Sequence, residues 1–180
     1  MTVTALETRR AVPGGWLDAT ELRIFRAERW LCSAALVVML VAVSISVVAR
    51  YFNLPIPNVG EFATVAMSPL AFVGAALCTF LQEHIAVDVI KLVRSESVQR
   101  VVRGAVALSL LAFSGVYVWV GYTFFEESLH SGETLIDMGT PVAVPVFFLF
   151  LGMVLMVFHA AMELWRVMAG RPAATLGEAE

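Results

Sequence analysis

Two pairs of residues have types and spacing that could support chemistry. His84 and Asp88 lie four residues apart, as do His159 and Glu163, so each pair occupies one face of a helix. Two histidines and two carboxylates would suffice as zinc ligands. The same histidines, on different helices, could instead be the axial ligands of a b-type haem in a membrane anchor subunit of a redox complex. No further motif supports either site, so we expect no metal and no cofactor.

Other kinds of chemistry find no support in the sequence. It contains no Ser-His-Asp order, no glycine-rich phosphate loop and no nucleic-acid-binding motif. We therefore expect neither an enzyme nor a nucleic-acid partner.

The elements that must position these residues are long apolar runs. Of the 180 residues, 59% are hydrophobic and only 15% are charged, with a mean hydropathy of +0.83. Four runs without Asp, Glu, Lys or Arg reach the length that crosses about 30 Å of hydrocarbon. These runs are residues 30–49, 62–81, 104–125 and 142–162. The sequence predicts an all-α integral membrane protein with four transmembrane helices in one domain, residues 1–180.

The basic residues predict the orientation of these helices. Of the 12 Lys and Arg residues, only Arg50 lies in a connection on one side of the membrane, and the other 11 fall on the opposite side. Basic residues near span ends concentrate on the cytoplasmic side. We therefore expect both termini, residues 1–29 and 163–180, to be cytoplasmic.

Two amphipathic helices are predicted at the cytoplasmic surface. The first would begin with Asp18 as N-cap and Glu21 at the third helical position, and lead into the membrane with Leu22 and Phe25 dipping into the acyl boundary. Its basic residues would lie near anionic headgroups: Arg23, Arg26 and Arg29. Alternatively, these arginines only orient the first span.

The second predicted amphipathic helix follows residue 81 and either lies flat on the membrane or continues span two. Its polar residues recur at spacings of four, three and four: His84, Asp88, Lys91 and Ser95.

Spans two and four carry local signals. Pro69 should bend span two, and Thr140 and Pro141 fit the N-cap and first residue of span four. Small residues at spacings of three and four place one face of span two where another helix can approach closely, either within this subunit or on a partner. These residues are Ala71, Gly74, Ala75 and Cys78.

The middle of each span contains no Asp, Glu, Lys, Arg or His. Ion and proton pathways usually place such groups inside the membrane despite their cost. The chain is therefore poorly equipped to transport anything alone.

One stretch carries a family resemblance. Arg50-Tyr51-Phe52, a proline turn, Glu61, the apolar segment FVGAAL and then HIAVDV follow one another in a single span and its flanks. In this order they resemble the DctQ-like small membrane subunit of tripartite ATP-independent periplasmic (TRAP) transporters. The segment SGETLIDMGTPVAVP before the last span agrees with it.

The resemblance implies an accessory role in the bacterial inner membrane. Such a subunit packs against a large multi-span subunit that carries a small organic anion and coupling sodium, while a periplasmic binding protein delivers the substrate. The resemblance assigns Arg50, Tyr51 and Glu61 to an outer motif, with Arg50 and Glu61 placed to pair, and His84 and Asp88 to an inner one. We expect structural or docking roles for all five.

Overall fold

The computed structural model describes residues 16–81 and 96–170. These residues form four α-helices and no strand: α1 (Trp16–Tyr51), α2 (Gly60–Leu81), α3 (Glu96–Ser131) and α4 (Ala143–Met168). Each helix is long and apolar enough to cross a membrane. The predicted all-α membrane fold is confirmed.

Helices α1 and α3 are longer than the apolar runs that predict them. Each has 36 residues and is therefore about 54 Å long, well beyond the hydrocarbon thickness. No proline or glycine interrupts α1, so nothing breaks the helix between its N-terminal part and its span. Helix α3 ends just before Gly132, whose φ of 65° suits the residue after a helix C-terminus.

The structure corrects the predicted helix start at Asp18 and the predicted interfacial position of Phe25. The helix begins at Trp16, so Asp18 lies inside its first turn, and the helix runs on to Tyr51 without a break. Phe25 does not dip into lipid. Its side chain is buried in the protein, and its ring centroid lies 4.5 Å from that of Phe80 on α2. The second predicted amphipathic helix, after residue 81, lies outside the described residues.

The start of α4 also differs from the prediction. The helix begins at Ala143 with Val142 as N-cap, two residues after the predicted start at Pro141. Thr140 and Pro141 instead belong to a tight connection in which Pro141 pairs with Thr134 as an isolated bridge. The amide of Leu135 donates to the carbonyl of Thr140 at 2.8 Å. The local capping signal is therefore overridden by contacts within the connection.

The helices pack in the order α1, α2, α4, α3, so that α2 and α4 are central and α1 and α3 are at the two edges. Helices α4 and α2 approach each other closely at Gly152. A Cβ atom added there would lie 2.5 Å from the carbonyl carbon of Phe72. Glycine at this position therefore allows the two central helices to touch through their backbones.

The described structure has two distinct ends. We call the end with connections 52–59 and 132–142 the loop end. We call the other end, where α1 and α3 begin and α2 and α4 finish, the basic end. The apolar core between them lies mainly along the two central helices, and its buried side chains include Val73, Ala76, Met153, Met156 and Ala160.

Candidate functional site

At the loop end, the buried carboxylate of Glu61 organises the connection that precedes α4. Its Oε2 atom accepts hydrogen bonds from the amides of Asp137 and Met138, both at 2.8 Å. Its Oε1 atom accepts one from the amide of Thr140 at 3.0 Å. Glu61 lies in the first turn of α2, so this single side chain fixes the second connection to the start of α2.

Asn58 ties a third element into the same cluster. Its Nδ2 donates to Asp137 Oδ2 at 2.8 Å, while its Oδ1 accepts from Ser46 Oγ on α1 at 3.0 Å and from the amide of Gly60 at 3.1 Å. We call these residues, with Glu61, the loop-end cluster. It joins the end of α1, the start of α2 and the connection before α4 into one unit.

Arg50 and Tyr51 lie at the end of α1 with exposed side chains. Among the described residues, Glu61 makes no ion pair with Arg50, because its carboxylate is bonded to backbone amides instead. The expected pairing of these two residues is therefore wrong. Arg50 lines an open groove of about 570 Å³ formed by the last turns of α1 and the following turn.

At the basic end, the imidazole of His159 lies between two carboxylates of α1. Its Nδ1 is 3.2 Å from Glu21 Oε1 and its Nε2 is 3.0 Å from Glu28 Oε1. All three side chains are buried, with exposed fractions of 1% for His159, 1% for Glu21 and 3% for Glu28. The two glutamates are seven residues apart, so they lie on the same face of α1, two helical turns from each other.

Arginines extend this arrangement to α3 and along α4. Arg166 forms an ion pair with Glu21, and its Nη1 lies 4.0 Å from Glu163 Oε2. Arg103 on α3 donates from Nε to Glu163 Oε1 at 2.9 Å. We call the six side chains the basic-end network: Glu21, Glu28, Arg103, His159, Glu163 and Arg166.

The composition of the basic-end network explains how it tolerates burial. Three carboxylates face two guanidinium groups and one imidazole. Buried charges are stable only when they are paired and hydrogen-bonded. The charged side chains of α1, α3 and α4 therefore pair with one another, and these pairs join the three helices at the basic end.

The network changes the interpretation of His159 and Glu163. Both ring nitrogens of His159 face carboxylates of α1, so the side chain would have to leave them to bind a metal or haem. The described residues contain no group of three or more His, Cys, Asp or Glu side chains arranged to hold a metal ion. His84 and Asp88, the other proposed ligands, lie outside the described residues.

The small-residue face of α2 is only partly covered by the rest of the described chain. Ala71 and Cys78 are exposed and Ala75 is half-buried. A Cβ atom added to Gly74 would meet no atom within 4 Å. Within the described residues, part of this face therefore stays open to another helix.

These features define a multi-pass membrane protein in which all charged groups of the described helices lie towards the two ends. Residues 28–170 match the family described as "Tripartite ATP-independent periplasmic transporters, DctQ component". The chain belongs to this family, as its sequence resemblance predicts. A comparison with curated proteins finds no match.

Proposed function

We propose that this chain is the accessory small permease subunit of a TRAP transporter and scaffolds a large membrane subunit that translocates the substrate. The transporter would take up a small organic anion together with sodium, after a periplasmic binding protein delivers it. The subunit would lie in the bacterial inner membrane with its basic end in the cytoplasm. Membership of the DctQ family supports this role, and the excess of basic residues at one end supports the orientation.

The observation that carries the accessory role is the distribution of charge along the described helices. Helix α2 has no charged residue after Glu61, and α4 has none before His159. The charged groups that are buried belong to the loop-end cluster or to the basic-end network, where they hold helices together. A path for an anion and sodium needs polar groups near the middle of the membrane, and we assign that path to the large subunit.

We further propose that the large subunit packs on the α2 face formed by Ala71, Gly74, Ala75 and Cys78. Helices associate in lipid through close backbone approach, because lipid tails are as apolar as the side chains they would replace. A face of small side chains that this subunit leaves partly open offers such an approach.

The family motif residues keep structural or docking roles in this proposal. Glu61 shapes the connection before α4, whereas the exposed Arg50 and Tyr51 are available for docking at the loop end. His84 and Asp88 retain the docking or structural role at the cytoplasmic surface that the family resemblance implies.

Co-purification with the large subunit tests both proposals. The tagged chain, expressed with the genes adjacent to its own, should retain a large multi-span protein in mild detergent. Gly74→Leu should reduce this retention strongly, because the added side chain would separate the helices. Gly115→Leu is the matched control, since Gly115 on α3 is equally open but lies outside the proposed face.

Two outcomes would contradict these proposals. If the unmodified chain retains no large membrane protein, the accessory role is wrong. If Gly74→Leu and Gly115→Leu reduce retention equally, or neither does, the assignment of the docking face is wrong even though the accessory role can stand.

A further inference from the structure

The N-terminal part of α1 carries its glutamates and its arginines on different faces. Glu21 and Glu28 point into the protein, where they are buried and belong to the basic-end network. The basic residues of the same turns have exposed side chains, and no ion pair joins them to another residue of the described part: Arg23, Arg26 and Arg29. We call this outward surface the arginine face. Its positive charge is therefore not neutralised by Glu21 and Glu28 on the same helix.

The arginine face is aligned with an exposed tryptophan and then with an exposed aliphatic surface. Arg23, Arg26 and Trp30 follow a spacing of three and four residues, which places them on one line along α1. The side chain of Trp30 is 73% exposed. Further along the same side of α1, exposed apolar residues continue towards the loop end: Val37, Val41 and Val48.

This order of side chains matches the layers of a lipid leaflet. Tryptophan side chains concentrate at the boundary between hydrocarbon and headgroups. With Trp30 at that boundary, Arg26 and Arg23 lie about 6 Å and about 10 Å further out along the helix axis. The headgroup layer is about 5 to 8 Å deep, and the long arginine side chains can reach its phosphates from either position.

We propose that the arginine face selectively binds the headgroups of anionic phospholipids. The continuous exposed aliphatic surface beside it favours a lipid over an acidic protein segment, because it provides a place for acyl chains next to the place for phosphates. Helix α1 is at one edge of the helix row, so lipid can reach this face directly. This inference does not depend on the role proposed for the subunit.

Lipid selectivity at two tryptophans tests the proposal. Two variants of the full chain would each retain one tryptophan, Trp30 or Trp119, with the other three replaced by phenylalanine. These two side chains are matched, at 73% and 72% exposed, but Trp119 lies towards the loop end. In phosphatidylcholine vesicles, quenching by brominated phosphatidylglycerol and by brominated phosphatidylcholine gives the relative binding constant of the anionic lipid at each position.

We expect a preference for phosphatidylglycerol of about threefold or more at Trp30 and none at Trp119, since each arginine near an anionic surface contributes up to about fivefold. Replacing Arg23, Arg26 and Arg29 by glutamine should abolish the preference at Trp30, and replacing them by lysine should retain most of it. Equal preferences at the two tryptophans would overturn the proposal. A preference that survives the glutamine substitutions would overturn it too.

The purified chain provides a second measurement. Native mass spectrometry should detect more retained phosphatidylglycerol on the unmodified chain than on the triple glutamine variant. Equal retention would show that the arginine face does not determine lipid binding, and the lipid assignment would then be wrong.

Discussion

Glu61 and Thr140 lie 79 residues apart in sequence, and the amide of Thr140 donates to Glu61 Oε1 over 3.0 Å. The amides of Asp137 and Met138 donate to the other oxygen of the same carboxylate. Three backbone amides of the connection before α4 thus find their acceptors in one side chain at the start of α2. The connection and the motif residue form one structural unit.

Replacing Glu61 by glutamine should loosen the connection before α4 while leaving the helices intact. The glutamine amide group has one acceptor oxygen instead of two, so it cannot satisfy all three backbone amides. We expect hydrogen exchange at Asp137, Met138 and Thr140 to accelerate by about tenfold. Glu127→Gln is the control, because Glu127 is exposed near the end of α3. Equal exchange in both variants would contradict the role of Glu61.

Reversing the charge at the same position should also affect transport. Glu61→Lys places a cation among three amide donors that require an acceptor, so we expect weaker substrate uptake by the complete transporter with normal membrane insertion. Uptake assays with all subunits present, alongside quantification of the inserted subunit, would measure this. Unchanged uptake would remove Glu61 from the residues that matter for function.

Removing the imidazole of His159 should destabilise the protein more than most single substitutions. His159→Phe would leave Glu21 and Glu28 buried without this partner, and breaking a buried charged pair costs about 3 to 5 kcal/mol. A double-mutant cycle with Glu28→Gln tests the interaction. We expect the double variant to lose less stability in detergent unfolding than the sum of the two single losses. Additive losses would show that the two side chains do not interact.

Substitution by alanine should destabilise the protein at Gly152 but not at Gly74. Gly152→Ala forces a methyl group to 2.5 Å from the carbonyl carbon of Phe72, so the central helices must separate, at a cost of about 1 to 3 kcal/mol. Gly74→Ala meets no atom and should be neutral or stabilising by up to about 1 kcal/mol, because alanine favours helix more than glycine does. Thermal unfolding of both variants measures the difference. Equal effects would contradict the described packing of α2 on α4.

The four helices could be predicted from the sequence because an apolar run of about 20 residues is enough to indicate a membrane span. A run without charges such as 62–81 has few alternatives to a membrane span. The exact ends of the helices could not be predicted as well. The start of α4 lies past Pro141, in a connection where Pro141 pairs with Thr134 and the amide of Thr140 donates to Glu61, and a local capping rule takes no account of partners outside the helix.

The sequence indicates only part of the basic-end network. Glu21 and Glu28 occupy one face of a helix and Arg23 and Arg26 another, a pattern that could have indicated buried acids on α1. Their partner His159 could not be found in this way, because the contact between the start of α1 and the end of α4 depends on tertiary packing. Local spacing instead favours a pair between His159 and its own neighbour Glu163.

The basic residues predict the orientation of the helices, which can be tested at two serines. Ser97 is at the start of α3, on the basic end, and Ser131 is its last residue, at the loop end. Because basic residues are retained on the cytoplasmic side, a fusion at Ser97 should be fluorescent with green fluorescent protein and inactive with alkaline phosphatase. A fusion at Ser131 should give the opposite pair of signals. Measuring both reporters at both positions controls for expression, and the reversed pattern would place the loop-end cluster in the cytoplasm and refute the topology.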